Sequence, residues 1–265
     1  MPICETIKEV RVLYPAPVTQ CARRLRVFPP VQRGAQQVLD LQWHCDPEPD
    51  EAREATDDFG NRVLELRHAH ITREFHFQMK LRASSGTGST PAAVPQSAGL
   101  PPIGIGAFLL PSALCDLNDE ICRAATQFKP QISMHDICAW THGALIYTTN
   151  ATHSGTRASQ ALALGKGVCQ DYAHLMIALC RALRIPARYV SGYNPAEGLM
   201  HAWVEVLHEA QWHAWDPTHN RPTNSHCVFV ACGRDFRDVS PLTGNYQGRR
   251  GARLEVWCRT RVVAA

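Results

Sequence analysis

No stretch of the 265-residue sequence approaches the roughly 20 consecutive apolar residues that a membrane-crossing helix needs, so no membrane partner is expected. The first residues, Met1-Pro2-Ile3-Cys4-Glu5, lack the basic region and apolar stretch of a secretory signal. Lysines and arginines form no run, and a formal charge of +3 is too small for a basic stripe, which argues against nucleic acid. No CxxC pair occurs among the eleven cysteines, and their odd number in so long a chain does not fit a small secreted disulfide scaffold. Most of these thiols are expected to be small buried hydrophobes in a reducing compartment, which points to the cytoplasm. No internal repeat is present. What remains is ordinary globular composition, 45% apolar and 19% charged, in a chain long enough for one large domain or two modest ones.

The chain changes character along its length. Residues 1–82 read as β structure, because runs such as Glu9-Val10-Arg11-Val12-Leu13 and Arg62-Val63-Leu64-Glu65-Leu66 alternate with the period of half-buried strands. Asp57-Asp58-Phe59-Gly60-Asn61 supplies hairpin turn chemistry between them. Residues 83–106 are rich in Ser, Gly, Pro and Ala and read as a linker or long loop. From 107 to 265 helical spacings come first, over 117–128 and 134–148, followed by a polar stretch at 149–156. A further helix is expected from Cys169 to before Pro186, then strands at 187–192, 202–207, 211–215 and 228–231. Helices followed by antiparallel strands indicate an α+β architecture.

The segment Gly165-Lys166-Gly167-Val168-Cys169-Gln170-Asp171 is the most informative. Two glycines permit a sharp turn, and the helix beyond it is apolar nearly all round, as a buried helix is. Cys169 then stands at a helix N-terminus, where free amides and the helix dipole favour a thiolate nucleophile. The plainer reading is one more buried thiol, like Cys180 on the same helix. Downstream, His201-Ala202-Trp203-Val204 and Gln211-Trp212-His213-Ala214-Trp215-Asp216 form a hairpin pattern around Glu209-Ala210. With a two-residue turn Asp216 lies opposite Trp203, on the same face as His201 and one diagonal step, roughly 7–8 Å, away. A nucleophilic thiol needs an imidazole to exchange its proton, and the imidazole needs an acceptor to orient it. Singly, His201 reads as a half-buried histidine and Asp216-Pro217 as a strand-ending turn; together with Cys169 they make a catalytic set.

The combination of Gly167-Val168-Cys169-Gln170-Asp171-Tyr172-Ala173-His174, Ile185-Pro186-Ala187-Arg188-Tyr189, His201-Ala202-Trp203-Val204-Glu205-Val206 and Trp215-Asp216-Pro217-Thr218 resembles the bacterial transglutaminase-like proteins of the papain-like superfamily. Gly233-Arg234-Asp235 with Asp238-Val239-Ser240-Pro241-Leu242 extends the match, and Asp58-Phe59-Gly60-Asn61 resembles their β-rich N-terminal region. The resemblance implies a papain-like transglutaminase core, helix bundle plus antiparallel sheet, behind a small β-rich N-terminal domain. It implies acyl transfer through a thioester, with Cys169 as nucleophile, His201 as general base and acid, and Asp216 as orienting group. A protein or peptide is the implied substrate, with water as acceptor in a cysteine protease or amidase and an amine as acceptor in a transglutaminase. Two rivals are an arylamine N-acetyltransferase-type enzyme using the same triad and a non-enzymatic binding protein on the same fold.

An oxyanion hole needs donors beyond the Cys169 amide. Gln170 and Tyr172 are candidates, and Trp140 lies upstream, as an indole donor does in the animal transglutaminases, although its expected place is the core. No EF-hand-like loop is present, so no metal or other cofactor is expected. His68 with His70, and His226-Cys227 with Cys232, lack complete ligand spacing and read as structural. Arg234 and Asp235 read as a structural ion pair.

Overall fold

The computed structural model describes residues 1–85, 104–195, 197 and 199–264. The expected linker lies mostly outside these residues, and its first residues continue a strand: Ser84 pairs with both Ile3 and Gln37.

Seven strands open the chain: β1 (Ile3–Leu13), β2 (Val18–Leu25), β3 (Gln32–Arg33), β4 (Gln36–Asp46), β5 (Glu51–Thr56), β6 (Arg62–Ile71) and β7 (Glu74–Ser84). Their alternation is the expected one. Val10 and Val12 on β1 and Phe75, Phe77, Met79 and Leu81 on β7 face inward. The two resulting sheets pack face to face, with the Arg23 guanidinium of β2 4.2 Å above the ring of Phe75 and His68 of β6 set edge-on to it at 5.5 Å.

The middle of the chain supplies α1 (Asp119–Thr126), α2 (Met134–Ala144), β8 (Ile146–Tyr147), α3 (Ala158–Leu164), β9 (Lys166–Gly167), α4 (Cys169–Ala182), β10 (Ala187–Tyr193), β11 (Met200–His208), β12 (Gln211–Asp216), β13 (Arg221–Pro222), β14 (Val228–Gly233) and α5 (Phe236–Val239). Side-chain caps start the first two helices: Asn118 accepts from the Ile121 amide at 2.9 Å and Ser133 from the Asp136 amide at 3.3 Å. The second helix stops at Ala144 rather than continuing to 148, because Ile146-Tyr147-Thr148 favour an extended chain that pairs in parallel with Lys166-Gly167. The short α3 has no counterpart in the sequence reading; Gly165, left-handed at φ 64°, ends it. At the centre, α4 is buried from Asp171 to Arg181 and packs on β10 and β11 with α1, α2 and α3 around it.

Arg181, buried on α4, donates to the carbonyls of Phe108, Ala187 and Arg234 and to the Ser112 hydroxyl, so one guanidinium ties helix, sheet and loop. The expected Arg234–Asp235 pair is not formed. Arg234 instead makes a bidentate pair with Asp238, while Asp235 caps α5 and accepts from the Leu114 amide at 3.0 Å. A capping carboxylate already satisfied by backbone amides leaves the guanidinium to the next acid one turn on.

The last two strands, β15 (Leu242–Gln247) and β16 (Arg253–Ala264), leave this unit. The sheets run β16-β1-β7-β4-β3, β15-β2-β6-β5 and β13-β12-β11-β10-β14. Residues 242–264 lie within the 107–265 stretch, whose last strand-like run, 254–258, the sequence leaves open to either sheet, and they complete the sandwich begun by residues 1–84. Strand complementarity decides this, since β16 pairs with β1 along its whole length.

Candidate active site

Local chain geometry places each part of the site. Gly167 precedes the fourth helix where an added Cβ would lie 2.6 Å from that of Asp171, so a larger residue would push the carboxylate away. That carboxylate accepts from the Val168 amide at 2.8 Å and the Thr152 hydroxyl at 2.6 Å, closing the turn that presents Cys169 as the first helical residue. Cys169 is half-buried and lines a cleft of about 530 Å³ with Tyr147, His153, Gln170, Glu197 and Leu199.

The β11–β12 hairpin has the expected register, His208 opposite Gln211 and Val204 opposite Trp215. Its turn residues, Glu209 and Ala210, are both left-handed at φ 49° and 58°, the form that matches strand twist in a two-residue loop. His201 and Asp216 therefore share a face, and His201 Nε2 meets Asp216 Oδ2 at 2.9 Å. Both side chains are buried, with His201 at 0% exposure. Opposite His201 on β10 is Gly192, where a Cβ would fall 2.2 Å from the Trp203 ring and 2.3 Å from the Val228 carbonyl. A glycine is required there to leave room for the indole, whose ring lies 6.4 Å from the imidazole at a tilt of 32°.

Electrostatics follow from this burial. Burial opposes charge on His201, but the hydrogen bond and charge of Asp216, together with nearby Cys169, outweigh it and push the imidazole up to about 10. Burial likewise opposes ionisation of Asp216, and the two histidines it holds, His201 and His219, bring its carboxyl below the usual range. Nδ1 of His201 stands near Cys169 with no hydrogen bond aligned and lies 3.7 Å from Glu197 Oε1. The arrangement joins a cleft-facing sulfur, an imidazole able to hold a proton, and a carboxylate fixing that imidazole.

The oxyanion candidates separate. Gln170 lines the cleft, its amide donating to the Ser154 carbonyl at 3.3 Å. Tyr172 does not serve: its ring is buried and its hydroxyl is committed to the Leu145 carbonyl at 2.7 Å. Trp140 packs edge-on against Phe128 at 6.4 Å, in the core and away from the cleft lining. Three cleft-side residues escaped the sequence reading. Tyr147 lies on the short β8; burial, then the charges of Cys169 and Glu197, raise its phenol. His219 donates from Nδ1 to Asp216 Oδ2 at 2.8 Å, and Glu197 faces both histidines. The signal for His219 lay in Asp216-Pro217-Thr218-His219, since an Asp-initiated turn folds the third residue back onto the carboxylate. The paired histidines His68 and His70 form no ligand set among the described residues, and His68 instead bonds the Pro47 carbonyl at 3.0 Å.

A helix-start cysteine facing a His–Asp pair on an antiparallel sheet, beside a β sandwich, defines a transglutaminase-like fold. The comparisons agree. Residues 117–217 match the Transglutaminase-like superfamily, and residues 9–84 match the Bacterial transglutaminase-like N-terminal region. The chain belongs to the transglutaminase-like superfamily and carries the bacterial N-terminal region ahead of the core. The crystal structure of a candidate cysteine protease from Cytophaga hutchinsonii superposes with TM-score 0.76 at 24% identity, covering 98% of this chain and 90% of that one. An uncharacterized protein of Mycobacterium leprae is 33% identical over 162 residues, 56% of this chain and 58% of the relative. One of Mycobacterium tuberculosis is 31% identical over 182 residues, 61% of this chain and 58% of the relative. The chain therefore spans less than two thirds of the length of these curated relatives.

Proposed function

We propose that Cys169, His201 and Asp216 form a catalytic triad for thiol-dependent cleavage of peptide or isopeptide amides. The observation that carries the reading is the buried His201–Asp216 hydrogen bond of 2.9 Å placed beside the one cysteine that lines the cleft. In the first step the sulfur of Cys169 attacks the amide carbonyl carbon, and the imidazolium of His201 gives its Nδ1 proton to the leaving amine. The thioester that results is then attacked by water, with His201 taking the proton and Cys169 leaving as thiolate. Asp216 keeps the ring oriented throughout, because its bond to Nε2 leaves Nδ1 for the sulfur. The free amide of Cys169, first in its helix, is the first donor to the developing oxyanion.

Water and an amine both fit as acceptor: the cleft wall sets Thr149, Asn150 and His153 beside Tyr147, Leu199 and Met200, and hydrolysis needs water at the thioester whereas amine transfer needs it excluded.

Competitive alkylation tests the triad. Burial raises Cys115, Cys138, Cys180 and Cys227 to about 12 and Cys45 to about 11, so these thiols are poor nucleophiles at neutral pH. With limiting iodoacetamide, peptide mass spectrometry should find Cys169 modified first, ahead even of exposed Cys122, and His201→Ala should slow Cys169 alone. Equal reaction at Cys122 and Cys169, unaltered in the variant, would sink the reading. A peptide-library digest run beside incorporation of a labelled primary amine then distinguishes hydrolysis from transfer.

A further inference from the structure

Beside the triad, three groups converge without a hydrogen bond among them. Glu197 Oε1 lies 3.7 Å from His201 Nδ1 and 3.7 Å from His219 Nε2, and the three atoms lie within 4.8 Å of one another. His201 is wholly buried, and its Nδ1 has no hydrogen-bond partner. The cause is Asp216. Its Oδ2 takes the Nε2 side of His201 at 2.9 Å and the Nδ1 side of His219 at 2.8 Å. Both imidazoles are thereby oriented with their opposite nitrogens aimed at the Glu197 carboxylate. A carboxylate behind metal-facing histidines is the arrangement that fixes tautomer and ring angle in zinc sites, and here one carboxylate orients two rings.

We infer that Glu197, His201 and His219 form a binding site for a zinc-like divalent cation that competes with the triad for His201 Nδ1. Two imidazole nitrogens and one carboxylate oxygen suit Zn²⁺ or Co²⁺, whereas Ca²⁺ and Mg²⁺ take oxygen ligands. Bonds of about 2.0 Å around a tetrahedral ion put ligands about 3.3 Å apart, so the two 3.7 Å separations to Glu197 close by a few tenths of an ångström, and the two imidazole nitrogens, within 4.8 Å of each other, close further by rotation of the exposed His219 ring. Cys169 stands outside this set of mutually close atoms, so water takes the fourth position. Binding replaces the Nδ1 proton with the metal and releases that proton to solvent. His201 can then neither donate to a leaving amine nor accept from water, so the metal is an inhibitor. That consequence rests on the proposed amide cleavage; the binding itself does not.

The test uses the full chain, stripped of metal with a chelator and titrated with Co²⁺ alone, read by its visible d–d absorption, then with Zn²⁺ as competitor. One ion per chain is expected, with affinity lowered at least tenfold in His219→Ala and in Glu197→Gln. Far-UV circular dichroism of each variant without metal checks that it folds. Unchanged affinity in both folded variants, or no stoichiometric Co²⁺ spectrum in the parent, overturns the site. Zn²⁺ protection of Cys169 from iodoacetamide, weakened in the same variants, further supports it. Because these readouts are binding and alkylation, a protein that cleaves no amide would defeat the proposed function and leave the metal site standing.

Discussion

His201 concentrates the chemistry of the molecule in one side chain. Its buried imidazole is charged at neutral pH because Asp216 and Cys169 together outweigh the desolvation that would otherwise discharge it. The sign of the pH dependence follows. Folding raises the imidazole above its ordinary value near 6.5, so the stabilisation it brings is complete below that pH and is lost as pH rises through about 10. The alkaline limb of the kcat/KM profile, which reports the free protein, is therefore expected near pH 10 rather than near neutrality, and a limb close to pH 7 would contradict the ion-paired imidazole. Asp216→Asn keeps the shape but removes the charge that holds the ring, and is expected to lower kcat/KM by at least about 100-fold with little change in KM. Steady-state kinetics on whichever peptide the library identifies reads both.

At the scale of elements, the edge of the core sheet shows how one unit holds the other. Strand β14 is an edge strand, and unpaired edge groups invite wrong partners. Two carboxamides from the sandwich cover it. Gln36 exchanges two hydrogen bonds with the amide and carbonyl of Phe229 at 2.8 and 3.0 Å, and Asn61 does the same with Cys232 at 2.8 and 2.8 Å. A register shift where Ser191 and Gly192 of β10 meet β14 changes the strand's parity, so that residues 229 and 232 both face outward. Asn61→Ala strands two buried backbone groups and is expected to cost about 2 kcal/mol or more, read as a lower urea midpoint with an unchanged slope. A loss within experimental error would mean that water replaces the amide there.

The whole molecule is stitched rather than strung. The chain builds most of the sandwich, crosses into the core for residues 119–239, and returns to finish both sandwich sheets with β15 and β16. Glu205, buried on β11, binds Arg188 of its own sheet at 2.6 and 2.8 Å and Arg33 of the sandwich at 2.7 and 2.8 Å. Burial would raise its carboxyl, yet the two guanidinium groups bring it below the ordinary range. Tyr193 adds a buried hydrogen bond to the Val27 carbonyl at 2.7 Å. Units that share strands and buried charge should unfold together. Tryptophan fluorescence and far-UV circular dichroism should give one coincident urea transition, whereas two separated transitions would show that the sandwich and core melt independently.

Much of this was legible in the chain itself. The hairpin register followed from alternation and a two-residue turn, and with it the shared face of His201 and Asp216, because period-2 side-chain direction is a local property. The buried helix behind Cys169 followed from an apolar run closed by Gly and Pro. What tertiary structure alone decided depends on groups far apart in sequence. The return of residues 242–264 to the first sheets is one case, since strand partners separated by more than 200 residues carry no local signal. Tyr172 is another: its position near Cys169 suggested a donor, and only the fold revealed that the Leu145 carbonyl already holds its hydroxyl. His219 and Glu197 are an intermediate case: each lies within four residues of its first partner, Asp216 or His201, so that contact is local, but only the pairing of the two strands brings Glu197 to His219. Local patterns set which elements form and which faces they bury; long-range packing sets which polar groups meet, because a partner's distance in space has no counterpart in its distance along the chain.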